Sequence, residues 1–362
     1  MRGSALVGGR HPTGALDAIT DVAGVRVGHS TVIEGDDVRT GVTAIHPHEG
    51  STFRDQVPAA ITVLNGAGEI TGRSQVEEYG LLESPLLPTS THSVGTVHAA
   101  TIAWMAEREE LAHDFVIPVV AETYDGFLND VLGDHVRPEH VRAALDGASG
   151  GPVARGNVGG GTGMALFHFK GGIGTASRVV TVEDTPFTVG VLVQGNYGRR
   201  EHLRIGGVRA GEAFDDLRPL RLVPPPRRPE GETGSVLVIV ATDAPLSDRQ
   251  LARLSRRAAL GIGRTGGIGG HSSGDLMLAF SNAPSVRVPR RPLPNTGGRV
   301  PLLVTTPRLH DAWIDPLFEA TIEATESAVF DAMLAAETLV GRGGNTLYAI
   351  PHDRLKTLLT GG

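Results

Sequence analysis

The 362-residue chain has no cysteine. Disulfides, thiol nucleophiles and Cys-ligated zinc are excluded together. Lysine is nearly absent as well. Of 33 basic residues only Lys170 and Lys356 are lysines, so a lysine base or Schiff base has two candidates. Both read as peripheral, Lys170 before a Gly-Gly turn and Lys356 near the C-terminus. No apolar run approaches the ~20 residues of a membrane-spanning helix; the longest, such as 236–241, are strand-length. There is no excess of positive charge. The net charge is −7, which argues against a nucleic-acid partner. The first fourteen residues, MRGSALVGGRHPTG, lack an apolar core of the secretory kind, and a cytoplasmic location is the expectation. The 14 histidines form neither HExxH nor a cluster with acidic partners at ligand spacing, and no metal is expected. His46-Pro47-His48 reads as a surface loop.

What is abundant is glycine, 49 residues without a repeat, which points to tight turns and close backbone approaches. Strand-like runs, β-branched-rich and bounded by Gly, Pro, Asn or Asp, lie at 24–27, 60–64, 115–120, 188–193, 235–241, 276–280 and 300–304. Helical spacing covers 94–111, 138–145 and 247–260. The last opens on Ser247 and Gln250, a capping-box spacing, and is expected to stop at Gly261. The longest helix starts at Asp315-Pro316 and is expected to run to Val340. Strands and helices alternate in blocks rather than in strict βαβ units, which favours an α+β or layered sandwich in a single domain spanning 1–362.

Residues 222–233, LVPPPRRPEGET, cannot form a helix or an interior strand. They read as an extended connector that ends at Gly234-Ser235, where the apolar strand VLVIVA begins at once. This marks either a linker or a processing site with Ser235 at the head of a buried strand. GNVGGGTG at 156–163 and GIGRTGGIGG at 261–270 match neither a dinucleotide fingerprint nor a phosphate loop, although their amides are suited to an anion nest. Glu122 follows the run 115–120 in AETYDGFLND and reads as the edge of a pocket. The loop HSSGD, 271–275, carries Ser273 and Asp275 around a glycine; a hairpin turn is the plainer reading of it, and a structural histidine the plainer reading of His271.

The order of longer motifs goes further. AITDVAGVRVGHST (18–31), RTGVTAIHP (39–47), LNGAGEITG (64–72), THSVGTV (91–97), ETYDGFLND, GNVGGGTGM, VQGNYG (193–198), TGSVLVIVATDAPL (233–246), SSGDLMLAF (272–280) and GRGGNTLYAIP (341–351) succeed one another along the chain. In these the chain resembles the self-cleaving L-aminopeptidase/D-esterases and β-peptidyl aminopeptidases, the DmpA-like peptidase family S58. The resemblance implies a four-layer αββα sandwich, shared with ornithine acetyltransferases. It also implies cleavage between Gly234 and Ser235 into an α chain, 1–234, and a β chain, 235–362. Homo-oligomers of αβ units and no cofactor are implied with it.

By the same resemblance Ser235 is the nucleophile, Ser273 and Asp275 orient it, Asn196 donates to the oxyanion, and Glu122 and Tyr124 bind the substrate's ammonium. Some relatives carry glutamate where Asp275 stands, and Ser90 replaces an expected asparagine. The chemistry is consistent with this: a serine hydroxyl needs a base, and a freed α-amine, with a pKa of roughly 7.7–8.0, serves at neutral pH. The expected substrates are short peptides, amino-acid amides or esters with a free amino terminus. An ornithine-acetyltransferase-like acyltransferase and an uncleaved, non-catalytic binding protein are the alternatives.

Overall fold

A computed structural model describes residues 1–108, 111, 114–222, 234–290 and 302–360. In chain order the long strands are β1 (Arg26–Glu34), β2 (Val38–His46), β3 (Asp55–Gly66), β4 (Leu86–Ser90), β5 (Val119–Thr123), β6 (Gly172–Val182), β7 (Thr185–Asn196), β8 (Ser235–Thr242) and β9 (Gly274–Ser281). The long helices are α1 (Val94–Glu107), α2 (Pro138–Asp146), α3 (Asp248–Thr265) and α4 (Asp315–Ala335). Strands β1-β2-β4-β5 make a four-stranded sheet. A seven-stranded sheet runs Val288–Pro289, β3, β9, β8, β7, β6, with Leu81–Leu82 added beside β3.

Three apolar cores separate four layers. Val97, Trp104, Val141 and Leu145 of α1 and α2 pack on Val42, Ala44 and Val120 of the smaller sheet. Ile45, Leu86, Val119 and Ala121 from its other face meet Ile61, Leu237, Ile239 and Leu278 of the larger sheet. Val236, Val238, Val240 and Met277 point the opposite way, onto Leu251, Leu254, Ala258, Leu317 and Ala324 of α3 and α4. The expected αββα sandwich is the architecture observed.

Strand β8 shows why the pattern works. All eight of its residues are buried, and they alternate between two cores, so an unbroken apolar run is what the central strand of a four-layer fold requires. It pairs antiparallel with β7 and parallel with β9. Burial of each Val, Leu or Ile there contributes about 1.5–3 kcal/mol.

Several local expectations are corrected. The helix starting after Ser247 has the expected capping box, with Gln250 N–H donating to Ser247 Oγ at 3.3 Å, but it passes through Gly261 and ends at Gly266, φ 101°. A Cβ at Gly261 would stand 2.8 Å from Ile322 O, so this glycine lets α3 and α4 approach rather than stopping the helix. Helix α4 stops at Ala335, not Val340. The glycine loop crosses its end at Gly156, and the Asn157 side chain bonds the main chain of Glu337 at both N and O. The strand expected at 115–120 is β5, shifted to Val119–Thr123, because Pro118 offers no N–H and Phe115 is exposed. Leu302, Leu303 and Val304 are exposed and form no strand; Val300 and all of the 222–233 connector except Leu222 lie outside the described residues. His46 lies in β2, and it and His48 are buried. Nε2 of each ring faces a carbonyl oxygen, that of Leu145 at 3.2 Å and that of Asp55 at 2.7 Å, so neither ring belongs to a surface loop.

Candidate active site

Ser235 is the first residue of β8, with Asn196, the last of β7, directly across and Gly274, the first of β9, alongside. Three strand ends of the large sheet therefore converge where β5 of the smaller sheet also ends. The Ser235 hydroxyl is buried and accepts the Tyr124 N–H at 3.2 Å. The Tyr124 carbonyl accepts Asn196 Nδ2 at 2.8 Å, and Asn196 Oδ1 accepts the Ala165 N–H at 2.8 Å. A single peptide segment thus ties the serine to the asparagine, and the amide orientation of Asn196 is set from both sides.

The bond preceding Ser235 is held as firmly. Gly234 O accepts the Gly274 N–H at 3.1 Å. A Cβ on Gly234 would lie 2.5 Å from Asn196 O and 2.8 Å from Tyr197 Cα, so only glycine fits between these strand ends.

At the start of β9, Ser273 Oγ donates to Asp275 Oδ1 at 2.7 Å, and both residues are buried. Asp275 Oδ2 has no hydrogen-bond partner among the described residues. Burial raises the Asp275 pKa, against the opposing Ser273 hydrogen bond. His271 is exposed at the start of this loop.

Glu122 lies within β5 rather than beyond the strand, 3% exposed. Its Oε1 accepts the Glu69 N–H at 3.0 Å and its Oε2 the Thr91 hydroxyl. Burial raises its pKa; the two hydrogen bonds oppose that shift, and the Glu69 charge adds to it. The buried carboxylate has no ion-pair partner among the described residues, although the nearby His92 favours its charge; a bonded ammonium offsets the cost of burying such a group. Tyr124 is 49% exposed, with its ring folded over Gly126. Ser90, buried, pairs its hydroxyl with Ser93 at 2.9 Å. Asp125, next to Tyr124, is buried, and its pKa is pushed up to about 6 by desolvation.

The glycine cluster at 156–163 is not an anion nest. Gly159 and Gly160 donate to the hydroxyls of Thr31 and Thr43, and Gly161 donates to Val158 O. A Cβ at Gly160 would stand 2.1 Å from Gln194 Oε1, so close packing explains these glycines. Lys170 is not peripheral: it is fully buried, and desolvation lowers its pKa to about 7.

Sequence reasoning missed the main chain of Tyr124 and Gly274, the Thr91 and Glu69 partners of Glu122, and the burial of Lys170. Main-chain donors carry no residue signature. Thr91 and Glu69 lie inside motifs whose order was legible although their contacts were not.

The sequence profile of peptidase family S58 matches residues 17–347. The chain is 45% identical over 360 residues to the β-peptidyl aminopeptidase BapA of Sphingosinicella xenopeptidilytica, covering 96% of this chain and 87% of that protein. Among solved structures, the L-aminopeptidase D-Ala-esterase/amidase of Ochrobactrum anthropi, described as a prototype of the serine aminopeptidases with a variant of the Ntn hydrolase fold, superposes with TM-score 0.89 at 41% identity, over 99% of this chain and 98% of that one. A Burkholderia β-aminopeptidase gives TM-score 0.88 at 42% identity, over 100% and 99%.

Proposed function

This chain belongs to peptidase family S58 and is a serine aminopeptidase, and we propose that it activates itself by cleaving Gly234-Ser235 and then removes N-terminal residues from short peptides, amino-acid amides or esters. The observation that carries the reading is the buried Ser235 hydroxyl at the head of β8, with a main-chain donor on the carbonyl just before it.

In self-cleavage, Ser235 Oγ forms a bond to the Gly234 carbonyl carbon and the Gly234–Ser235 C–N bond breaks. The proton passes from Oγ to the nitrogen, leaving an ester that water hydrolyses. Gly274 N–H already donates to the Gly234 oxygen, where negative charge develops. The products are an α chain, 1–234, and a β chain beginning with a free Ser235 amine.

In turnover, that amine takes the hydroxyl proton as Oγ attacks the substrate carbonyl, then returns it to the leaving amine or alcohol. Water resolves the acyl-enzyme by the same route. An amide NH2 has two hydrogens; Asn196 spends one on Tyr124 O and offers the other, beside the Tyr124 N–H, to the oxyanion. Asp275 Oδ2, with Ser273 on its other oxygen, holds the new amine. Glu122 and the Tyr124 side chain receive the substrate's ammonium, whose charge relieves the cost of burying the carboxylate.

Intact mass under denaturing conditions tests the reading. Division of 37.9 kDa at residue 234 gives pieces of about 24 and about 13 kDa in proportion to length. The smaller must begin at Ser235. A single full-length mass after long incubation at neutral pH would overturn it.

A further inference from the structure

We propose that Lys170 is a positioning residue for the reaction, acting through Asn196 by fixing the short hairpin that orients the asparagine side chain; this rests on the oxyanion role given to Asn196 above. The hairpin runs from Ala165–Leu166 to Phe169–Lys170 and presents the Ala165 N–H to Asn196 Oδ1. Its two turn residues, Phe167 and His168, have φ of 51° and 60°. Left-handed backbone at non-glycine residues persists only where the surroundings hold it.

Two buried basic side chains supply that hold. From outside, Arg200 donates to Phe167 O and His168 O, each at 2.8 Å. From inside, Lys170 Nζ donates to Met164 O at 3.0 Å, Gly171 O at 2.7 Å and Gly161 O at 3.3 Å. Met164 immediately precedes Ala165. Gly171 leads into Gly172, which pairs with Gly195, the neighbour of Asn196. One ammonium therefore clamps the chain just before the donor and the chain just beside the acceptor.

The choice of residue supports a geometric task. This chain uses arginine almost everywhere and lysine only at 170 and 356. A compact ammonium turns its hydrogens onto carbonyls that converge on one point, whereas a guanidinium needs its acceptors spread around a plane, as those of Arg200 are. No carboxylate stands within ion-pair distance of Lys170 among the described residues. The Nζ hydrogens are met by main-chain carbonyls alone, and burying such a group without a carboxylate is costly if stability were the only return.

The test is a double-mutant cycle on the self-cleaved enzyme, with kcat referred to titrated active sites and a small amino-acid amide as the probe. Lys170→Met keeps the length of the side chain and removes its three donors. The expected result is a fall in kcat of roughly tenfold or more with KM little changed, since misplacement of a reacting group by about 1 Å can cost ~10². In an Asn196→Ala background the same change should cost less than about twofold, because interacting residues are not additive. Lys170→Gln, which restores two donors on a shorter arm, should fall between the two and serves where Lys170→Met does not fold. A kcat for Lys170→Met equal to that of the parent overturns the proposal. So does an equal loss in both backgrounds, which would mark a structural role reached by another route. Failure of both Lys170 variants to fold would assign the residue to folding alone and overturn it too. If Asn196→Ala itself leaves kcat unchanged, the oxyanion reading fails, and the inference falls with it by a visibly different result.

Discussion

The main-chain N–H of Tyr124 donates to the hydroxyl of Ser235 from 3.2 Å. The residue that follows β5 of the smaller sheet thus holds the first residue of β8 in the larger one, and the hydroxyl oxygen is held in place before any substrate arrives. Ser235→Ala removes only the oxygen from a buried, well-packed strand. The variant is expected to remain one full-length chain with a near-parental melting temperature and no amidase turnover. Two fragments, or measurable hydrolysis, would sink the assignment.

The position before it is equally restrictive. Gly234→Ala places a methyl group 2.5 Å from Asn196 O, which pushes the carbonyl away from Oγ and from the Gly274 N–H. Self-cleavage is expected to slow by ~10²-fold, the cost of about 1 Å of displacement. Gel quantification of the fragments over time measures this, and cleavage at the parental rate would refute it.

Asn196→Ala removes a donor from the developing oxyanion. A loss of ~10²–10³ in kcat is expected, with KM within a few-fold of the parent. A rise in KM alone would move Asn196 from the transition state to ground-state binding.

Glu122→Gln keeps the shape and removes the charge. The Glu69 N–H still finds an oxygen, and the Thr91 hydroxyl can turn to accept. Hydrogen bonds to charged groups contribute about 1.5–3 kcal/mol, so kcat/KM for substrates with a free ammonium should fall roughly 10- to 150-fold. Burial raises the Glu122 pKa, and the group must be ionised to bind a cation. The acid limb of kcat/KM should therefore lie above the ordinary carboxylate range in the parent and vanish in the variant. An unchanged acid limb would remove Glu122 from substrate binding.

Asp125 makes a prediction about stability. Its pKa is 3.8 when exposed and about 6 in the fold. Between these values the folded state holds a proton that the unfolded state has lost. Stability therefore falls as pH rises from about 3.8 to about 6, and the full cost remains above that. At 1.36 kcal/mol per unit the cost is on the order of 3 kcal/mol. Asp125→Asn should melt higher than the parent near pH 7 and lose the advantage near pH 4. A variant less stable at both values would contradict this.

Much of the fold was legible before any coordinates. Strand β8 announced itself as an unbroken apolar run, and helix α3 by its Ser247–Gln250 cap, because both depend on neighbours in sequence. The ends of α3 and α4 were misread, because Gly261 and Ala335 answer to another element crossing them. At the site, Ser235, Asn196, Glu122, Ser273 and Asp275 sit at strand ends that only the sheet order brings together. Lys170 was misplaced for the same reason: a lysine before two glycines resembles a turn until the hairpin folds over it.

Strand β8 has one more consequence. It is hydrogen-bonded on both edges, to β7 of the first segment and β9 of the second, while α4 packs against β6. The cut proposed at its head would free an end without freeing a piece. The uncut chain folds as a single molecule, at a rate indifferent to concentration. After the cut, recovery from denaturation becomes an encounter between two different chains, whose yield depends on dilution. On that proposal folding is unimolecular only before activation, and the working life of the cleaved enzyme at high dilution is set by how slowly it opens.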